Sequence, residues 1–125
     1  QNGQPAMLSA IGEVLPNDIF YSYQSKSSGI KGVETKIPAT LNIEQKKRIE
    51  SAAFDIFNVL HLRDTARIDF FIDKKTDEIY FNEVNTLPGF TETSMYPKLW
   101  EVSNKPFQKI ITHLIELALA RHRCR

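Results

Sequence analysis

A chain of 125 residues, 42% of them hydrophobic, is long enough for one domain with a modest core. Its 16 basic and 15 acidic residues are interspersed and leave a net charge of +1, which excludes the charge patterns typical of nucleic-acid and membrane-surface binding. The one cysteine, Cys124, excludes an internal disulfide, and no apolar run approaches the roughly 20 residues that span a bilayer.

The ends of the chain give expectations about its location and its extent. A single thiol fits a reducing compartment, so a cytoplasmic location is expected. The polar start at Gln1 has neither an initiating methionine nor the charged and apolar regions of a leader peptide. We therefore expect a soluble piece of a longer protein.

Short strands and a loop are predicted for the first part of the chain. Residues 7–15 alternate loosely and end at a Pro-Asn-Asp turn signal, residues 19–23 predict a second strand, and residues 33–39 predict a third. Residues 24–32 are small, polar and rich in glycine. They predict a mobile surface loop of the kind that closes over a binding site.

Three helices are predicted further along. Asn42 is a good N-cap, and Gln45 three residues later completes a capping-box signature. The core-facing stripe of this first helix is predicted to comprise Ile49, Ala52, Ala53, Ile56, Val59 and Leu60. Residues 96–102 predict a short helix, and Pro106 introduces the last one. Residues 120–125 are expected to form a disordered tail.

A β-hairpin is predicted between the first and second helices. Alternation places Arg67 and Asp69 on one face of its first strand, and Glu83 and Asn85 on one face of its second. If Asp69 faces Glu83, their Cβ atoms lie about 4.5–5.5 Å apart. The same register pairs Arg67 with Asn85 and Phe71 with Phe81, leaves residues 74–78 as the turn, and gives an opposite apolar face of Ile68, Phe70, Ile72 and Val84.

Two interpretations of the acid pair are open at this point. Two carboxylates and the Asn85 amide are hard oxygen ligands that suit Mg²⁺, whose incomplete protein shell is usually filled by water and nucleotide phosphates. Spacing alone favours the plainer interpretation, in which Asp69 and Glu83 belong to the solvated face of an amphipathic hairpin. Directly opposed like charges destabilise a strand pair unless a cation lies between them, which favours the metal site.

The segment after Asn85, Thr-Leu-Pro-Gly-Phe-Thr, is equally open to two interpretations. Its Pro88-Gly89 pair frees the backbone to point the Gly89 N–H at a bound oxyanion. It is also compatible with an ordinary turn between a strand and a short helix.

The strings ARIDFF and YFNEVNTLPGFTETSMYP resemble the C-terminal signature of the D-alanine–D-alanine ligases, which are ATP-grasp enzymes. The element order itself predicts an α+β fold, an antiparallel sheet covered by helices. The resemblance extends from IGEVLP through the last helix and implies that residues 1–125 are the C-terminal part of an ATP-grasp fold. It implies ATP- and Mg²⁺-dependent joining of two D-alanines for peptidoglycan and the bacterial cell wall, with this chain as the catalytic, metal-binding portion.

The resemblance also implies roles for individual residues. Asp69, Glu83 and Asn85 would hold two Mg²⁺ ions, or Mn²⁺ in their place. Arg67 would contact the transferred phosphate and the tetrahedral intermediate, and the Gly89 N–H would donate to the oxyanion.

Two further residues are assigned to substrates in the same way. Ser94 would bind the carboxylate of the second amino acid, and Lys26 in the lid would reach an ATP phosphate. A solvated loop lysine explains Lys26 equally well on composition. Ser27 stands where many of these ligases have tyrosine, so D-lactate or D-serine are open alternatives as second substrate.

The parts of the family's enzymes that this sequence lacks determine the partners that we expect for it. The adenine pocket, the first-substrate residues and the first phosphate-covering loop have no counterpart in this sequence. The chain is therefore expected to need the N-terminal and central parts of the same enzyme, to be inactive alone, and to belong to a homodimer when intact. A non-catalytic binding module with the same fold is the other functional class.

Overall fold

The computed structural model describes residues 6–16 and 33–123. Along these residues the elements follow the order of strands, helix, hairpin and helices, which confirms the predicted α+β class. They are β1 (Glu13–Pro16), β2 (Val33–Lys36), α1 (Ile43–Val59), β3 (Arg67–Ile72), β4 (Ile79–Asn85), α2 (Met95–Val102) and α3 (Phe107–Arg123). Among the helices of the described ranges, none has the length and apolar character to cross a membrane.

The strands of the described residues form two separate antiparallel pairs, β1 with β2 and β3 with β4. Both early strands are shorter than predicted. Residues 7–12 lie outside the β1 ladder and are held instead by single contacts, such as the Ala10 N–H to the Ser103 hydroxyl at 2.6 Å. The strand β2 ends before Pro38, which has no N–H to give to a ladder. The strand predicted at residues 19–23 lies outside the described residues.

The capping box predicted at the start of α1 is confirmed. Asn42 Oδ1 accepts the Gln45 N–H at 2.8 Å, and Gln45 Oε1 accepts the Asn42 N–H at 2.9 Å. Ile49 and Ala53 of the predicted stripe are buried. Its last two members were placed wrongly, because α1 ends at Val59, which is 74% exposed, and Leu60 already belongs to the cap.

Removal of the Asn42 side chain is expected to destabilise the fold. Asn42→Ala leaves the Gln45 N–H without its acceptor at a helix end, so the free energy of unfolding should fall by about 1 kcal/mol. Urea denaturation followed by circular dichroism measures the change. Asn58→Ala, an exposed position in the last turn of the same helix, is the matched control and should change stability little. Equal effects of the two substitutions would contradict the capping role.

The helix α1 lies along one face of the hairpin. The turn of the hairpin is fixed to the first turns of α1, since Asp77 accepts hydrogen bonds from Gln45 Nε2 and from Arg48 Nη1. Phe70 and Phe81 meet edge to face on the side toward α1, with ring centroids 6.3 Å apart. The opposite face of the hairpin points away from α1.

A small aromatic cluster anchors the loop that follows β4. Phe90 lies against Tyr96 and Phe107, with centroid distances of 5.6 and 5.3 Å, and Tyr96 packs edge to face on Trp100. Burial raises the pKa of Tyr96, because a phenolate would be poorly solvated there. Phe90 thus holds the loop between β4 and α2 against the start of both last helices.

The end of the chain differs from the prediction. The helix α3 continues to Arg123, so the expectation of a disordered tail is wrong for residues 120–123. Arg121 forms an ion pair with Asp64, which joins this last turn to the connection between α1 and β3. That contact gives the final turn a partner that sequence spacing does not reveal.

Candidate active site

The register of the hairpin brings the two acids together. Asp69 pairs directly with Glu83, and Arg67 pairs directly with Asn85, as predicted. Directly paired residues share a face of the sheet, so all four side chains lie on the face away from α1. The hairpin therefore places two carboxylates, a guanidinium and a carboxamide side by side.

The register changes immediately beyond the acid pair. A bulge between Asp69 and Phe70 pairs Phe70 with Phe81 and Phe71 with Tyr80. The predicted pairing of Phe71 with Phe81, and with it the placement of Phe81 on the acidic face, is wrong. A bulge adds one residue to one strand and inverts the alternation beyond it, so Phe81 joins the apolar face instead. The bulge leaves the four polar residues in the predicted register.

Arg67 lies between the two carboxylates. Its Nε and Nη2 donate to the two oxygens of Asp69 at 2.9 and 3.0 Å, and Nη2 is 3.7 Å from Glu83 Oε1. The side chains of Arg67 and Asp69 are only 27% and 30% exposed, so this two-pronged ion pair is partly shielded from water. The guanidinium offsets the repulsion that two opposed acids would otherwise have.

The oxygen donors of this cluster fit a magnesium ion. A carboxylate has about four lone-pair sites, and Arg67 occupies two of those on Asp69. Asn85 Oδ1 accepts the Leu87 N–H at 3.0 Å and keeps its second lone pair. Within the described ranges no third His, Cys, Asp or Glu joins the acids in a metal-holding group, and the Asn85 carboxamide is the other oxygen donor on this face of the hairpin. Such an incomplete set of hard ligands is typical of Mg²⁺ sites completed by water and phosphate.

The loop after Asn85 brings Gly89 and Ser94 together. A Cβ atom added to Gly89 would lie 2.9 Å from Ser94 Oγ, closer than real Cβ contacts. A side chain at position 89 would therefore require the Ser94 hydroxyl to shift. Pro88 is buried, whereas Gly89 is exposed and lies beside the Ser94 hydroxyl. Lys26, the remaining predicted site residue, lies outside the described residues.

The described part of the chain, residues 6–16 and 33–123, thus contains a compact site built from β3, β4 and the loop to α2. The family described as D-ala D-ala ligase C-terminus matches residues 1–116. The chain belongs to this family. A D-alanine–D-alanine ligase from Treponema denticola is 49% identical over 110 residues, which are 88% of this chain and 30% of that protein. One from Shouchella clausii is 48% identical and is matched over 91% of this chain and 31% of its own length.

The fold of this chain is also similar to the solved structures of ligases of the same family. D-alanyl-alanine synthetase A from Vibrio cholerae matches with a TM-score of 0.73 and 36% identity over 86% of this chain and 33% of its own. A D-Ala:D-Ser ligase from Enterococcus faecalis matches with a TM-score of 0.75 and 33% identity, over 89% and 32%. A D-alanine–D-alanine ligase from Bacillus anthracis complexed with ATP has a TM-score of 0.74 and 25% identity, over 92% and 37%. The chain therefore spans about a third of the length of the proteins that it matches.

Sequence reasoning missed one part of the site. Thr91 contacts Ser94 through both its backbone N–H and its hydroxyl, at 3.1 and 2.8 Å. A threonine three residues before a serine that precedes a helix is the available signal, since short polar side chains at such spacing bond to nearby backbone groups.

Proposed function

We propose that this chain is the C-terminal, metal-binding portion of an ATP- and Mg²⁺-dependent D-alanine–D-alanine ligase of peptidoglycan synthesis. The observation that carries the proposal is the direct pairing of Asp69 with Glu83, with Arg67 between them. The combination of this ion-paired cluster with Asn85 and Gly89 on the adjoining strand and loop supports a catalytic portion over a binding module without turnover. The B. anthracis neighbour, whose structure is complexed with ATP, supports the use of ATP.

In the proposed reaction, a carboxylate oxygen of one D-alanine attacks the γ-phosphorus of ATP, and ADP leaves. The amine nitrogen of a second D-alanine then bonds to the activated carboxyl carbon, phosphate departs with the electrons of the C–O bond, and the amine loses a proton. Mg²⁺ held by Asp69, Glu83 and Asn85 would neutralise the triphosphate, and Mn²⁺ accepts the same oxygen ligands.

The residues around the metal ligands are proposed to stabilise negative charge on the substrates and on the intermediate. Arg67 lies close enough to the acid pair to contact a phosphate held there, and its planar guanidinium can bind two oxygens at once. The Gly89 N–H is proposed to donate to the oxyanion of the tetrahedral intermediate, and Ser94 to the carboxylate of the second amino acid. Lys26 is proposed to bind an ATP phosphate.

The rest of the same enzyme is the proposed partner. Among the described residues there is an open cleft of about 2170 Å³. It is lined by residues 6–15, by β3 and by faces of α1 and α3. Ligand pockets usually have volumes of about 300–1,000 Å³, so this cleft is too large for one small molecule. Large apolar side chains are exposed on the domain, among them Leu87 at 88% and Ile43 at 76%. We propose that the remaining parts of the same enzyme fill the cleft and cover these side chains.

A ligase for a different second substrate is the alternative function. The E. faecalis neighbour is a D-Ala:D-Ser ligase and matches with a TM-score of 0.75, so this domain is shared between ligases that differ in second substrate. Ser27, which stands where many of these ligases have tyrosine, keeps D-serine and D-lactate as candidates. A homodimeric enzyme in the cytoplasm, where a single free thiol is stable, completes the proposal.

Product analysis of the full-length ligase tests the proposal. The enzyme is supplied with ATP, Mg²⁺ and D-alanine, with and without equal concentrations of D-serine and D-lactate, and the products are separated by mass. We expect D-alanyl-D-alanine as the main product, formed with one ADP and one phosphate per dipeptide. A main product that contains D-serine or D-lactate would select the alternative, and no ATP-dependent product would refute the ligase function.

The isolated 125-residue chain is expected to be inactive. The chain contains the proposed metal ligands and Arg67, but it spans only about a third of the length of its relatives. No ATP-dependent dipeptide should therefore form. Phosphate release measured with and without D-alanine checks this expectation. Release that depends on D-alanine would contradict it, and the full-length enzyme in the same assay is the positive control.

A further inference from the structure

Ser94 occupies the N-cap position of α2 without capping the helix. A serine at this position usually accepts the backbone N–H of the second or third helical residue. Here the Ser94 side chain makes no such bond, and the third helical residue is Pro97, which has no N–H to offer. The Ser94 hydroxyl instead turns back into the preceding loop, toward Thr91 and Gly89.

The contacts of Ser94 Oγ decide the direction of its proton. A serine hydroxyl has one proton and two lone pairs. The Thr91 N–H can only donate, so its 3.1 Å bond occupies one lone pair. The Thr91 hydroxyl lies 2.8 Å from Ser94 Oγ, and either group can be the donor in that contact. If Thr91 donates, both lone pairs of Ser94 are occupied and its proton is available to a ligand.

A carboxylate ligand fixes that choice. An ionised carboxylate only accepts hydrogen bonds, so Ser94 must donate to it and must then accept from the Thr91 hydroxyl. The Thr93 hydroxyl is 3.2 Å from Thr91 Oγ1 and can donate to it in turn. The three hydroxyls then form a chain in which all bonds run toward the carboxylate and each bond polarises the next.

We propose that Thr91 is a positioning residue that orients the Ser94 hydroxyl as a hydrogen-bond donor to the carboxylate of the second amino acid. The inference rests on the proposed ligase function and on the role proposed there for Ser94. Thr91 also fixes the place of Ser94, because its carbonyl accepts the Ser94 N–H at 3.0 Å. The loop thus holds both the position of the hydroxyl and the direction of its proton.

The test uses Thr91→Val in the full-length ligase. Valine keeps the branched shape and the backbone N–H but removes the hydroxyl. Rates are fitted with separate constants for the two D-alanine sites. The KM of the second D-alanine should rise about three- to tenfold, the loss expected for one hydrogen bond, while the KM of ATP stays unchanged. Thr91→Ser, which restores the hydroxyl, should return this KM to within about twofold of the wild type.

A double substitution separates positioning from a general effect on the loop. If Thr91 acts through Ser94, adding Thr91→Val to Ser94→Ala should raise the KM of the second D-alanine no further. Additive effects, a parallel rise in the KM of ATP, or an unchanged KM in Thr91→Val would each overturn the inference. Wild-type enzyme that forms no dipeptide would refute the ligase function itself, so the two failures are distinguishable.

Discussion

Arg67→Met in the full-length ligase is expected to lower kcat by about 10²- to 10³-fold, the range found when one donor to a developing negative charge is removed. Arg67 holds both oxygens of Asp69 and lies 3.7 Å from Glu83, so its charge is concentrated at the proposed phosphate site. Methionine preserves much of the aliphatic side chain and removes the charge. Steady-state ADP release at saturating ATP and D-alanine measures the effect.

Two further variants separate charge from geometry. Arg67→Lys keeps the positive charge but cannot make the two-pronged contact with Asp69, so we expect a loss between those of wild type and Arg67→Met. Arg63→Met removes an exposed arginine from the connection before β3 and serves as the matched control. Loss of one charge-stabilising donor lowers kcat by far more than about threefold. A kcat for Arg67→Met within about threefold of the Arg63→Met value would therefore contradict the role of Arg67.

The hairpin shows how far the sequence predicts this site. Two-residue alternation placed Arg67 with Asp69 and Glu83 with Asn85, and the metal hypothesis required Asp69 to face Glu83, which is the register that the structure has. The bulge beyond them was not predicted, because Glu83 and Asn85 share one face of β4 whether or not an extra residue lies between Phe81 and Glu83. Only the packing of Phe81 against Phe70, on the side of α1, selects the bulged register.

The misplaced end of the α1 stripe has a different cause. Periodicity identifies apolar positions on a helix face, but it does not tell which protein segment covers them. Val59 and Leu60 continue the spacing of the stripe and yet are 74% and 52% exposed. The capping box, by contrast, is a local interaction between residues three apart, so Asn42 and Gln45 predicted the start of α1 correctly.

Glu83→Gln is expected to raise the Mg²⁺ concentration for half-maximal activity by about 10- to 100-fold or more. Loss of an outer partner of a metal ligand typically costs that much, and Glu83 is proposed as a direct ligand. Glutamine keeps the size of the side chain and one oxygen donor, so the change isolates the charge. Asp69→Asn should act in the same direction.

The control for the metal effect comes from the same hairpin. Glu78→Gln removes an exposed acid next to the turn, where Glu78 accepts a hydrogen bond from the Tyr80 hydroxyl. This variant should leave the Mg²⁺ dependence of ADP release unchanged. If Glu83→Gln and Glu78→Gln gave the same Mg²⁺ curve as wild type, the opposed acids would be part of a solvated sheet face, and Arg67 would serve only as their counter-ion. A shift confined to Glu83→Gln and Asp69→Asn would instead locate the divalent cation between β3 and β4.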